Sequence, residues 1–171
     1  MNTMKSTINA LFTIGYEGAE LSDFLATLRR TGVTTLLDVR ELPLSRKKGF
    51  SKRALEAAVM SVGIEYRHER GLGSPKRLRT QLHGDGDYKS FFAAFSTYLR
   101  AQEPLLKQLA GSLEGGVALM CFERDPATCH RSIVAKRLGQ LVGVEARHLG
   151  VTHDIRRNGA GVGVGQGVSS A

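Results

Sequence analysis

Val117-Ala-Leu-Met-Cys-Phe122 is an unbroken apolar run that follows Gly115-Gly116 and precedes the polar connection Glu123-Arg-Asp-Pro-Ala-Thr128. A strand that is apolar at every position must be covered on both faces, as in a parallel sheet flanked by helices. A helical pattern follows it over 129–142, with Ile133, Val134, Leu138, Leu141 and Val142 on the inward face. Working outward, 33–39 (VTTLLDV) is a second buried strand that turns charged at Asp38 and Arg40. Residues 11–14 form a short strand ending at Gly15, and Ser22 is placed to cap a helix that stops near Gly32. Ser51 is placed to cap a helix ending at Gly63, and 64–66 is a weaker third strand. Two further helices are predicted over 88–101 and 104–113, and a last strand over 144–149. The stretch 67–87, rich in Gly, reads as a long loop. Strands alternating with helices predict an α/β fold: a mainly parallel sheet of about five strands with helices on both faces, Rossmann-like and three-layered. Ligands of such folds bind beyond the carboxyl ends of the strands.

The chain has 171 residues, 24 basic against 16 acidic, and a formal charge of +8. Between Arg40 and Arg79 lie eleven basic and four acidic side chains, so seven of the eight net charges sit in that one segment. A charge so concentrated points to an anionic partner, a nucleotide or a nucleic acid. One domain is expected over 11–155, with an N-terminal extension over 1–10 and a Gly-rich flexible tail over 156–171. Two Cys exclude a disulfide scaffold, and no apolar run is long enough to span a bilayer. A cytoplasmic protein with reduced thiols and no membrane partner is expected. Nothing in the sequence specifies a cofactor or an oligomeric state.

The predicted strand ends carry the chemistry. Tyr16 and Glu17 follow the first strand, Asp38 and Arg40 the second, and Cys121 and Glu123 the fourth. Asp125-Pro126-Ala127-Thr128 has the residues of a type I turn, with Thr128 placed to cap the next helix. Cys129, His130 and Arg131 would then occupy the first helical turn, where an anion held by Arg131 and Ser132 is favoured by the helix dipole. The same dipole, with Arg131, would lower the pKa of Cys129 and make it the more reactive thiol, whereas burial would raise that of Cys121. A zinc site from Cys121, Glu123, Cys129 and His130 has suitable ligand types. However, Cys-x7-Cys-His is not a usual structural-zinc spacing, and adjacent Cys129 and His130 would diverge on a helix, so no metal is assigned.

Thr13-Ile-Gly-Tyr-Glu-Gly18, Asp38-Val-Arg40 with Pro43 and Ser45, Gly63-Ile-Glu-Tyr66, Leu72-Gly73 and above all Cys121-x-Glu-x2-Asp-Pro-x2-Cys-His-Arg131 resemble the Domain of Unknown Function 488 family over roughly residues 11–150. The cysteine segment is the specific element. The resemblance implies a compact α/β domain and carries no reaction with it.

Three functions are compatible with these residues. The first is an enzyme acting on a phosphate-bearing ligand, with Asp38 or Glu123 as general acid/base, Cys129 as nucleophile or thiolate ligand, and Arg40 and Arg131 holding negative charge. The second is a thiol redox or transfer protein using Cys121 and Cys129. The third is a non-enzymatic nucleic-acid-binding module. For the first, the strand ends at Ile14, Val39 and Cys121 should converge so that Asp38, Arg40, Glu123 and Arg131 line one concavity. Arg46, Lys47, Lys48, Lys52 and Arg53 should form a phosphate-contacting surface beside it.

Overall fold

Alternate residues of each central strand face opposite layers, and the two layers are both apolar. In the computed structural model, which describes residues 6–153, strands β1 (Thr7–Gly15), β2 (Thr35–Asp38), β3 (Glu65–His68), β4 (Glu114–Cys121) and β5 (Ala146–Leu149) form one sheet. Every pairing is parallel and the order is β3-β2-β4-β1-β5. Val117, Leu119 and Cys121 of β4 join Leu37 and Val39 in one core, while Ala118 and Met120 join Leu36, Phe12 and Ile14 in the other. Residues 117–121 of the apolar run that suggested a doubly covered strand are therefore buried on both sides, and Phe122, beyond the strand, is exposed.

The helices divide between those two cores by direction of travel. Helices α1 (Leu21–Arg30) and α2 (Lys52–Ser61) carry the chain from β1 toward β2 and β3. They cover one face through Phe24, Leu28, Leu55 and Val59. The chain then reverses. Helices α3 (Lys76–Asp85), α4 (Tyr88–Ala101) and α5 (Glu103–Ser112) return it to β4, and α6 (Arg131–Val142) takes it on to β5. Their Leu78, Phe91, Phe95, Leu106, Val134 and Leu138 cover the other face. Right-handed crossovers running in opposite directions must lie on opposite faces, which gives the three layers.

Two segments differ from the sequence expectation, and a third cannot be compared. β1 begins at Thr7, so residues 7–10 of the expected extension are strand, and Thr7, Ile8 and Ala10 pair with β4 around an irregularity at Asn9. The expected tail, 156–171, lies outside the described residues. The expected loop over 67–87 contains α3: Pro75 precedes its first residue, Leu78 and Leu82 share its inner face, and Gly86 at φ +65° ends it in the left-handed conformation. Among the described residues no helix is long and apolar enough to cross a membrane.

Candidate functional site

Adjacent strands β1 and β4 send the chain to opposite faces at their carboxyl ends, β1 into α1 and β4 into α6, and this divergence opens a crevice. The crevice is a cleft of about 670 Å³. Tyr16, Arg40, Cys121 and His130 form its base. The loop after β2 (Glu41 to Lys47) makes one wall, and Arg79, Leu82, His83, Tyr88 and Phe91 of α3 and α4 make another. Phe122, Glu123 and Thr128 complete the rim.

The strand ends converge as expected, with two of the four anticipated residues in the concavity. Arg40 and Glu123 line it, and Asp38 and Arg131 do not. Asp38 is fully buried and its carboxylate is completely engaged. Arg40 Nε donates to Oδ1 at 2.9 Å and Nη2 to Oδ2 at 2.7 Å, while the Tyr66 hydroxyl donates to Oδ2 at 2.5 Å. Arg40 Nη1 donates to the Tyr16 hydroxyl and the Phe50 carbonyl. Four of the five guanidinium N–H groups are thereby taken. Burial opposes the charge on Arg40, but the hydrogen bonds and charge of Asp38 outweigh it and hold its pKa even above the usual arginine range. Burial and the Asp38 bond likewise push the Tyr66 phenol well up, so it remains a donor. The anticipated acid and anion-binder are therefore each other's partners, a brace under the cleft.

Arg131 corrects the sequence reading in the same way. It is the largest fully buried side chain among the described residues, and its Nη1 and Nη2 donate to the carbonyls of Glu123 and Arg124. Ser132 Oγ donates to the Pro126 carbonyl. Both residues fix the loop after β4 from behind and have no part in the cleft surface. Glu17 also lies off the cleft, accepting from the Arg124 backbone N–H at 2.9 Å.

The cysteine segment departs furthest from expectation. Asp125 does open a turn: its carboxylate accepts from the Ala127 N–H, and its carbonyl accepts from the Thr128 N–H. That turn closes on itself as a one-turn 3-10 helix, Pro126–Thr128, and Cys129 after it is extended (φ −123°, ψ 136°). α6 starts only at Arg131, with His130 as its cap residue. Cys129 thus sits below the cleft at 1 % exposure, while Cys121 at 6 % reaches its base. Burial, reinforced by neighbouring Cys121, pushes the Cys129 thiol well up, opposite to the helix-dipole expectation. In reduced, chelator-treated protein, iodoacetamide should therefore label Cys121 faster than Cys129. Equal rates in the single Cys→Ser variants would contradict this geometry.

His130 joins the two sulfurs. Its Nδ1 lies 3.9 Å from Cys121 Sγ and 3.9 Å from Cys129 Sγ, and its Nε2 lies 2.9 Å from the Val39 carbonyl oxygen. A carbonyl only accepts, so Nε2 carries the proton and donates. Phe95 packs edge-on against the imidazole.

A model of the family Domain of unknown function DUF488 matches residues 20–138, most of the described fold. The chain belongs to the DUF488 family. No curated protein and no solved structure matches it. In this DUF488 chain the family match covers β2, α3 and the whole cysteine segment.

Of the expected basic surface, Arg46 and Lys47 line the cleft; Lys48, Lys52 and Arg53 are exposed outside it. Their loop is pinned rather than free. Phe50 is fully buried and stacks on Tyr16 at 4.5 Å, and Ser51 Oγ bonds both the N–H and the carbonyl of Ser45. Gly49, at φ +91°, turns the chain where a Cβ would meet Leu21 at 2.7 Å. Arg79, which the sequence reading missed, pairs with Glu41, and Glu41 also accepts from the Lys76 N–H at the start of α3. Arg46 and Lys47 have no carboxylate partner among the described residues. The α3 part of that wall was overlooked because its segment reads as a loop; the Leu78–Leu82 spacing after Pro75 was the available signal.

Proposed function

We propose that the cleft binds a phosphate-bearing ligand that also carries a planar apolar group, a nucleotide or the end of a nucleic acid, and that the protein is an enzyme acting on it. The observation that carries this reading is the pairing of two cations with no carboxylate partner among the described residues, Arg46 and Lys47, with exposed apolar side chains in one cleft. Leu42, Leu44, Tyr88 and Phe122 all face solvent there, Leu44 at 73 % exposure. Large apolar groups held in water at a concave site mark a surface meant to be covered. A base stacked on Phe122 or Tyr88, with its phosphate on Arg46 and Lys47, would satisfy both demands. The volume is within the ~300–1,000 Å³ typical of small-molecule sites.

Cys121 and His130 at the base and Glu123 at the rim face the ligand in this reading. Glu123 takes the general acid/base role, because Asp38 has no free lone pair facing the cleft. Cys129 acts through His130 and Cys121, and Arg40 positions Tyr16.

Calorimetric titration at low salt with mononucleotides, a short single-stranded oligonucleotide and inorganic phosphate tests the reading. A mononucleotide should bind more tightly than inorganic phosphate. Arg46→Ala/Lys47→Ala should weaken nucleotide binding at least about tenfold, and should reduce the log–log salt slope for the oligonucleotide by about 1.4, two contacts' worth. Absence of binding by every nucleotide and oligonucleotide would end this proposal.

A further inference from the structure

We propose that Cys121, Cys129 and His130 bind a single divalent zinc ion, with its remaining coordination position facing the cleft. The ligand atoms, two Sγ and Nδ1, all lie within 4.8 Å of one another and belong to buried side chains. A tetrahedral ion with Zn–S of ~2.3 Å and Zn–N of ~2.0–2.1 Å needs sulfur–nitrogen edges of about 3.6 Å. Both sulfur–nitrogen edges here are 3.9 Å, a few tenths of an ångström too long, and the two sulfurs, within 4.8 Å of each other, need to close to about 3.8 Å.

The sequence objection to a metal was that Cys129 and His130, as neighbours on a helix, would diverge. They are not on a helix. Cys129 is extended and His130 turns into αR (φ −60°, ψ −23°), and that change of backbone direction brings both side chains to the end of β4, where Cys121 waits. The seven-residue spacer is the turn that makes this possible.

The imidazole is already set for coordination. With Nε2 donating to Val39, the proton is fixed on the far nitrogen and the Nδ1 lone pair faces the sulfurs. A carbonyl bonded to the outer ring nitrogen is the usual orienting device of a metal-bound histidine. A second, independent observation lies on the same cleft: Glu123, which lines it, has a buried Oε2 with no hydrogen-bond partner among the described residues. A buried carboxylate oxygen without a partner is unfavourable, and a metal-bound water in the open position would supply one.

Two thiolates and an imidazole select a borderline-soft ion over magnesium or calcium. Three protein ligands with one open position are the pattern of catalytic zinc, where the ion polarises an oxygen or activates water. Cys121 and His130 line the cleft and Cys129 does not, so the open position is on the cleft side. Metal binding goes beyond the ligand reading above and can be tested without any nucleotide.

The full chain, reduced and stripped with a chelator, is titrated with zinc and separately with cobalt(II). One equivalent of zinc retained through gel filtration, with cobalt giving the intense visible bands of a tetrahedral site and a near-ultraviolet thiolate charge-transfer band, is expected. Loss of an orienting partner alone weakens metal affinity 10–100-fold, so Cys121→Ser, Cys129→Ser and His130→Gln should each weaken it by at least about 100-fold. Arg46→Ala/Lys47→Ala should bind zinc as the unmodified chain does, which separates failure of this site from failure of the ligand reading. Circular dichroism identifies any variant that does not fold, and the stoichiometry of the unmodified chain decides the question without variants. Sub-stoichiometric zinc with a weak octahedral cobalt spectrum overturns the proposal. So does reduced protein that takes no metal and closes a Cys121–Cys129 disulfide in air, an outcome that favours a thiol redox function instead.

Discussion

Asp38→Ala is expected to lower stability by about 3–5 kcal/mol, the range seen when one partner of a buried ion pair is removed. Asp38 has no exposed surface and Arg40 is 5 % exposed, so the guanidinium left behind would be almost wholly shielded from water. It cannot relieve the problem by losing its proton either, because arginine remains charged. The Tyr66 hydroxyl and the Arg40 backbone N–H would lose their acceptor at the same time. Asp38→Asn, which retains an acceptor but not the charge, should fall between Ala and the unmodified chain. Asp38→Leu/Arg40→Met should recover part of the loss, since the pair is stabilising only against its own halves. Urea unfolding measures all three. A change below about 1 kcal/mol for Asp38→Ala would mean that the carboxylate is solvated as an exposed pair is, and that the brace is absent.

Gly15→Ala is the second large effect. A Cβ at Gly15 would stand 1.8 Å from the carbonyl oxygen of Glu123 and 2.6 Å from its carbon. Both are backbone atoms, so no rotamer change can make room. The two chains are also held there by the Tyr16 N–H to the Cys121 carbonyl and the Glu17 N–H to the Phe122 carbonyl. The Glu123 carbonyl is in turn the acceptor for Arg131. Separating β1 from the loop after β4 would break that set together. A loss of at least about 3 kcal/mol is expected, at the upper end of overpacking effects. For a chain of this size that is a fall of roughly 6–12 °C in Tm. A melting temperature within 2 °C of the unmodified chain would show that the strand and loop are not in this close register.

The elements of the sheet were legible because residues 117–121 of β4 and Leu36 and Leu37 of β2 are apolar and the flanking helices carry regular inner faces. What sequence periodicity could not convey is which polar groups face the cleft and which face each other. Asp38 and Arg40, two apart, do share a side, but Arg40 lies beyond the last residue of β2 and folds back onto Asp38. Spacing alone is the same for a pair that greets a ligand and a pair that neutralises itself. The start of α6 was hidden for a different reason. Asp125 and Thr128 are both good cap residues, and the one-turn helix between them uses that signal, leaving Cys129 extended and moving the true start to Arg131. The cleft wall on α3 was lost to the Gly residues around it, although only Gly86 there needs positive φ.

The position of β4 has a consequence for how the chain reaches this fold. The strand at the centre of the sheet is the fourth to be synthesised, and Val117 pairs with both Leu11 and Thr35. A nascent chain that has not yet reached Glu114 holds β1 and β2 with nothing between them, so their facing edges remain open to other strands. Closure then requires contacts between segments more than a hundred residues apart, as between Leu11 and Val117. Such high contact order slows folding and prolongs the exposure of unpaired edges. The sheet is completed by insertion rather than by growth from one end, and the cleft, built where β4 meets β1, comes into being only with that step.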